Sequence, residues 1–484
     1  MRRRDFLKTA SALSALGLLQ SIGCRPASGP MNVLFVCIDD LNDWVGCLGG
    51  YPGVLTPNID RLASQGVLFT NAHAAVPACH PSRMATLTGV RPTTSGVYHN
   101  RQPHWRETAW GQGVQTLPQA YMQAGYRVMG SGKIFHGQDP ASWHEYWPSD
   151  GAVRPVDYMP PRNALPLSGM PGVNRAIDTL DWGYAGVHLE QMSDYQVAQW
   201  TAGQLQKQTD KPFFLGCGIF RPHLPWYVPK RWFDLYPLDQ VVLPDIRDDD
   251  LSDVPPEAVA FIRRGRSATN HENIMRHGKW REAVQGYLAS ISFADSMLGI
   301  VLDALDASPY RDNTVVVLWS DNGWHLGEKL HWKKFTLWEE ATRVPLVFRL
   351  PPAMKMQGRC DEAVSLVDIF PTLMDVCGLP KSTALEGESL LPQLLNPATL
   401  RQVPAVSTWS RVNHSLRTRE WRYTRYGSGA EELYNHRSDP QEWNNLAGNA
   451  DSRAIMDALR PFFPEHEVPY SPPLERGKKS GGDD

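Results

Sequence analysis

Asn32-Val33-Leu34-Phe35-Val36-Cys37-Ile38-Asp39-Asp40 is the stretch from which the fold can be read. Its unbroken apolar run is too short for a core helix and does not alternate, as in a parallel strand covered on both faces. The run ends in two carboxylates, at the end of a strand where open α/β sheets bind ligands. Adjacent acids repel, and a shared hard cation is a common reason to keep them together. A second run of the same kind, Thr314-Val315-Val316-Val317-Leu318-Trp319-Ser320, ends in Asp321-Asn322-Gly323.

Working outward, helical and strand patterns alternate. A capped helix over Thr56–Gly66 precedes the strand Val67–Thr70, a helix over Gln115–Ala124 precedes Tyr126–Gly130, and one over Ser193–Lys207 precedes Phe213–Gly218. A sustained helical pattern from Glu282 to Ala307 leads into the second buried run, and the strand Val344–Phe348 and a helix over Asp368–Cys377 follow. The expected class is α/β, with a large mixed, mostly parallel sheet flanked by helices. Two segments break the rhythm: a Pro-, Gly- and aromatic-rich loop from Pro140 to about Thr179, expected to shape the substrate site, and a charged surface excursion over 246–280. After Pro397 the texture becomes that of antiparallel strands with polar outer faces, such as Trp421-Arg422-Tyr423-Thr424-Arg425-Tyr426. The expected division is a catalytic domain over 30–398 and a smaller C-terminal antiparallel-sheet subdomain over 399–484, its tail disordered from Glu475.

With 484 residues, 42% of them hydrophobic, the chain can bury a large core. A net charge of −3 argues against a nucleic-acid partner. Residues 1–29 are read as a leader: Arg3-Arg4 followed by Phe6-Leu7-Lys8 and the apolar run Ala10–Ile22 resemble a twin-arginine export signal. Ser21-Ile22-Gly23-Cys24 resembles a lipoprotein cleavage box with Ser where Leu is usual, making Cys24 a candidate lipid anchor. The protein is therefore expected to be exported from a bacterial cell to the periplasm or cell surface, and no later uncharged segment reaches membrane-spanning length. Cys37 and Cys217 fall in core strands, Cys47, Cys360 and Cys377 have no metal-type spacing, and no disulfide pair is singled out.

Chemistry gathers around Cys79-His80-Pro81-Ser82-Arg83. Pro81 suits the first helical position, which would put Cys79 at a helix N-terminus where unpaired amides attract anions, with Arg83 one turn on. Alone, such a cysteine is usually a small core residue. Its companions change that: acids at Asp39, Asp40 and Asp321, with Asn322, and cations or imidazoles at Lys133, His136, His223 and Lys334. Oxygen donors suit Ca²⁺ or Mg²⁺, and a metal beside fixed cations suits transfer from an oxyanion ester.

Cys79-x-Pro81-Ser82-Arg83 matches the signature of type I sulfatases of the alkaline-phosphatase superfamily, and the resemblance runs from Asn32 to about Leu446. Gly132-Lys133-Ile134-Phe135-His136, Arg221-Pro222-His223-Leu224-Pro225 and Asp321-Asn322-Gly323-Trp324-His325-Leu326-Gly327-Glu328 are similar to iduronate-2-sulfatase. The resemblance implies a sulfuric ester hydrolase whose Cys79 is oxidised to formylglycine by a formylglycine-generating enzyme. It places the metal, usually Ca²⁺, on Asp39, Asp40, residue 79, Asp321 and Asn322. It also implies that the hydrated aldehyde attacks sulfur and that Arg83 holds the hydrate and the charge of the metal site. Lys133, Lys334 and His223 would meet sulfate oxygens, with His223 or Lys334 protonating the leaving oxygen, and His136 would take the proton whose loss releases sulfate. The implied substrate is a sulfated carbohydrate such as a 2-O-sulfated uronate. Choline-sulfatase-like enzymes and phosphonate or phosphate ester hydrolases share the framework, and an unmodified Cys79 would leave a glycan-binding relative. Two departures stand out: Asn322 where that subgroup often has His, and His80 where a small residue is commoner.

Overall fold

The computed structural model describes residues 29–149, 166–171, 180–263 and 270–472. The leader with Cys24, most of the 140–179 loop and the tail from Glu475 lie outside the described residues.

A nine-stranded sheet carries the molecule. Across it, in order, lie Gly358–Cys360, Val67–His73, Arg343–Arg349, Thr314–Ser320, Asn32–Ile38, Phe213–Ile219, Arg127–Gly132 and Glu145–Trp147, with Val364–Ser365 also paired to Val67–His73. Asn32–Ile38 pairs in parallel with both neighbours, Val36 standing opposite Cys217 on one side and Leu318 on the other. Among the described strands of this sheet only Arg343–Arg349 runs against the rest. Pro345 in that strand has no N–H for a ladder, and the register with Val67–His73 shifts between Val344 and Leu346. The sheet is thus mixed and mostly parallel.

Period-two alternation splits each central strand between two cores. Leu34, Val36 and Ile38 join Val316 and Leu318 beneath the helices Pro57–Ser64, Ser193–Leu205 and Trp280–Asp306. Val33, Phe35 and Cys37 join Val315, Val317 and Trp319 on the opposite face, beneath Cys79–Thr88, Leu117–Gln123 and Ile369–Cys377. Trp280–Asp306 has the length and apolarity to cross a membrane, but it is a core helix here, and its buried Asp295 accepts backbone N–H bonds from Asn58 and Ile59 at the start of Pro57–Ser64.

The C-terminal part is a four-stranded antiparallel sheet, Ala405–Thr408, His414–Arg417, Trp421–Arg425 and Glu431–Asn435. The charged 246–280 excursion is more than surface: Pro256–Arg263 packs Ala258 and Ile262 into a cluster with Trp338, Tyr426 and Tyr434, joining catalytic and C-terminal parts. Among the described residues all six cysteines are free.

Candidate active site

The parallel strands deliver most of the predicted site residues to one edge of the sheet, and Lys334 reaches them from the end of the short antiparallel pair His325–Leu326 and Trp332–Lys333. Asp39 and Asp40 follow Asn32–Ile38, Lys133 and His136 follow Arg127–Gly132, His223 follows Phe213–Ile219, and Asp321 and Asn322 follow Thr314–Ser320. Val67–His73 leads into the helix that opens at Cys79.

That helix starts earlier than the sequence reading: Cys79 is its first residue and Pro81 its third, after an extended Ala78. Pro81 is tolerated because the first-turn N–H groups have no partner within the helix. Gly89, at φ +67, ends the helix.

Neighbouring residues of a strand face opposite sides, so Asp39 and Asp40 share a site only because the chain turns between them. Asp40 has φ +57, a left-handed conformation that costs a non-glycine residue about 1–2 kcal/mol. Its N–H donates to Asp321 Oδ1 (3.1 Å) and its carbonyl accepts from the Tyr287 hydroxyl (2.8 Å).

Cys79 Sγ lies 3.7 Å from Asp40 Oδ1, 3.8 Å from Lys133 Nζ and 2.7 Å from Lys334 Nζ. Single ligand atoms of Asp39, Asp40, Cys79 and Asp321 all fall within 4.8 Å of one another. Asn322 Nδ2 donates to Asp40 Oδ1 (2.8 Å), and its Oδ1 stands 3.4 Å from Lys334 Nζ. Asp40 Oδ2 is buried without a hydrogen-bond partner among the described residues. An orphaned carboxylate oxygen within a mostly oxygen donor set fits a hard cation.

Arg83 is fully buried and spans the base of the site. It donates to Asp39 Oδ1 and Asp321 Oδ2 (2.8 Å each) and to the carbonyl of Ile134 (2.9 Å). The sequence reading had it holding the hydrate as well; the structure gives its donors to the carboxylates and to the backbone of the Lys133 loop. Lys133 Nζ bonds Asp39 Oδ2 and Lys334 Nζ bonds Asp40 Oδ1. Three carboxylates thus face three cations, so a bound dication would leave the site net positive, as an anionic ester requires.

Burial opposes charge on Asp39, yet Lys133 and Arg83 hold it well below the usual carboxylate range. Asp321 goes the other way: burial, with the charges of Asp39 and Asp40, outweighs Arg83 and pushes it up to about 6. Against the cost of burial, Asp40 and Cys79 hold Lys334 above its ordinary range. Burial raises the Cys79 thiol despite both lysines. His223 is lowered to about 4 by burial and then by Lys133. Its Nδ1–H donates to the Leu224 carbonyl (2.7 Å), leaving Nε2 3.7 Å from Asp40 Oδ2. His136 stands at the exposed rim, its ring stacked on His80; desolvation among the packed loops and the nearby Lys133 hold it well below the imidazole range. Trp324 is 2% exposed, with Lys334 Nζ 5.6 Å from the centre of its ring, so it belongs to the floor of the site.

Two contributors escaped the sequence reading. Ser82, inside the quoted signature, donates its hydroxyl to the Asp321 carbonyl (2.5 Å), and Tyr287, buried in the long core helix, holds the Asp40 turn with no local signal to mark it.

The sulfatase family model matches residues 31–379, covering both acid-bearing strands, the signature helix and the three loops that carry Lys133 with His136, His223 and Lys334. The chain belongs to the sulfatase family. A second model, described as N-sulphoglucosamine sulphohydrolase, C-terminal, matches residues 327–466. This sulfatase is 37% identical over 444 residues to a sulfatase of Formosa agariphila, covering 90% of this chain and 86% of the relative. It is 30% identical over 526 residues to iduronate 2-sulfatase of Mus musculus, covering 90% and 94%. A solved 2-O GAG sulfatase superposes with a TM-score of 0.68 at 21% identity, over 90% of this chain and 91% of that one, a likeness of fold. The protein is thus a sulfuric ester hydrolase on a sulfatase fold, and sulfatases of this family normally work with formylglycine and a metal ion.

Proposed function

We propose that this sulfatase removes sulfate from sulfated glycan fragments, with a 2-O-sulfated uronate as substrate, using formylglycine made from Cys79 and a bound Ca²⁺. The observation that carries the reading is the setting of Cys79 Sγ, at a helix start, between metal-type carboxylates and two lysine ammoniums. The uronate is supported by the mouse relative, named an iduronate 2-sulfatase and matched over 94% of its length.

Asp39, Asp40, Asp321, Asn322 and residue 79 would hold the metal, which supplies a fixed charge against developing oxyanions. The aldehyde hydrate at position 79 would supply a nucleophilic hydroxyl and, beside it, a second hydroxyl with a proton to give up. Lys133 and Lys334 neutralise sulfate oxygens from two sides. Because His223 spends its Nδ1–H on the Leu224 carbonyl and is neutral near pH 7, its Nε2 offers a lone pair. Lys334 keeps its proton there, so of the two it is the donor to the leaving oxygen. His136, a neutral imidazole at the rim, accepts the proton that permits sulfate release.

The mass of the Cys79 peptide from protein made in its native host tests the modification; a plain thiol, with no sulfate released from any ester, would leave a glycan-binding relative instead. Turnover of a 2-O-sulfated uronate disaccharide should exceed that of a 6-O-sulfated glucosamine disaccharide and of choline sulfate, and aryl sulfate should exceed aryl phosphate and phosphonate. Reversal of either order would replace the substrate reading. The twin-arginine-type leader supports export to the periplasm or cell surface. Cell fractionation checks this, and incorporation of labelled palmitate checks lipidation at Cys24.

A further inference from the structure

His80 is the residue of the signature for which the reaction above has no use, and His136 is the residue of the reaction for which the structure shows no hydrogen-bonded support. Among the described residues nothing hydrogen-bonds to the His136 ring, although catalytic imidazoles are ordinarily oriented by a second group. Among the described residues its one ring contact is His80: the centroids are 5.6 Å apart and the planes 5° from parallel. The two rings differ in their surroundings. His136 is exposed, whereas His80 is 5% exposed and fixed at the second position of the signature helix, its backbone N–H donating to Asn100 Oδ1 (2.9 Å). Buried His80 Nε2 has no partner among the described residues, so the ring is held by its place in the helix and by packing. Beside it His104 closes on Gly137, where an added Cβ would meet the imidazole at 3.1 Å, leaving the His136 loop little room on that side.

We infer that His80 is a positioning residue: its buried ring is the flat support against which the His136 imidazole is aligned for its proton transfer. The inference rests on the role proposed for His136. It also gives the departure from the commoner small residue a physical purpose, since a small side chain offers no such surface.

His80→Ala and His80→Phe separate the ring's surface from its nitrogens, with all rates expressed per enzyme carrying formylglycine, counted by peptide mass because residue 80 lies inside the modification signature. With a chromogenic aryl sulfate in stopped flow, His80→Ala should keep the rate of the first phenol-releasing turnover within about twofold. The later turnovers, which wait on sulfate release, should slow by about tenfold or more, as a displaced base does. His80→Phe should restore them. A second measurement needs no turnover: carbethoxylation of His136 by diethyl pyrocarbonate, followed by peptide mass, should quicken severalfold in His80→Ala and return to the wild-type rate in His80→Phe. Equal slowing of both phases, or His136 labelling unchanged by His80→Ala, overturns the inference. Wild-type protein that carries formylglycine yet releases no sulfate would sink the proposed function instead, and the labelling would still decide whether His80 supports His136.

Discussion

Lys334 shows how much one side chain in this site depends on its neighbours. Its ammonium meets Asp40 Oδ1 and Cys79 Sγ, and its backbone carbonyl accepts the Nε2–H of His331 (2.9 Å). Lys334→Ala should lower kcat at least about a hundredfold, the usual scale for a lost proton donor. Lys334→Arg should fail to restore it, because a planar fork cannot replace a compact ammonium between two acceptors; kcat of the arginine variant within threefold of wild type would refute that geometry. His331 also gives the fold an acid limit. Burial, with Lys333, lowers it to about 4 despite its bond to the Lys334 carbonyl. A depressed imidazole leaves the unfolded chain binding more protons below pH 6.5, so its contribution is intact above that pH and lost as the pH falls toward 4. At pH 5 this amounts to about 2 kcal/mol. Urea unfolding of wild type and His331→Gln at pH 7 and pH 5 should show a smaller loss in the variant by about that amount; parallel losses would remove His331 as the cause.

At the scale of elements, the segment that carries Lys334 is strained. Lys329, Leu330, Lys333 and Phe335 all have positive φ, conformations that persist only where the surroundings enforce them. The C-terminal part supplies the enforcement by holding the residues that follow. Arg422 donates to the Leu337 carbonyl (2.8 Å), Glu442 accepts the Glu339 N–H (2.9 Å), and Trp338 Nε1 donates to Glu432 (2.8 Å). Buried Arg422 also pairs with Glu339 and Glu442, and His436 with Glu442 (2.9 Å). Glu442→Ala leaves Arg422 and His436 short of an anion and should cost about 3–5 kcal/mol, the scale for breaking a buried pair. It should also lower kcat. Hydrogen exchange should quicken over 328–342 before the central strands respond; uniform exchange across the molecule would show that the clamp does not act on Lys334. None of this was legible locally, because His325–Leu326 and Trp332–Lys333 are two-residue strands whose pairing depends on the turn between them.

Across the whole molecule, the site closes only when residues up to 294 positions apart meet, as Lys334 and Asp40 do. A cation held by Asp39, Asp40 and Asp321 would therefore tie the first and second acid strands and stabilise the fold by mass action, by about 3 kcal/mol at a hundredfold excess over its dissociation constant. EDTA should lower the melting temperature of wild type by a few degrees and leave Asp39→Asn, which should neither bind metal nor turn over, unchanged; an equal fall in both would place the metal elsewhere. What the sequence determined by itself is what local chemistry encodes. Val33–Ile38 and Val315–Trp319 are apolar on both faces, so they must be central strands, and acids directly after them must lie at the ligand-binding edge. The signature around Cys79 marked the residue proposed to react for the same reason: its meaning lies within five positions. Tertiary structure decided what depends on distant partners. It turned Asp40 toward Asp39 with the help of Tyr287, gave Arg83 to the carboxylates, set His136 on the ring of His80, and made the C-terminal sheet a brace for the segment that follows Lys334. Each of these contacts is made when the chain closes over long separations, and no short stretch of sequence carries the geometry of that closure.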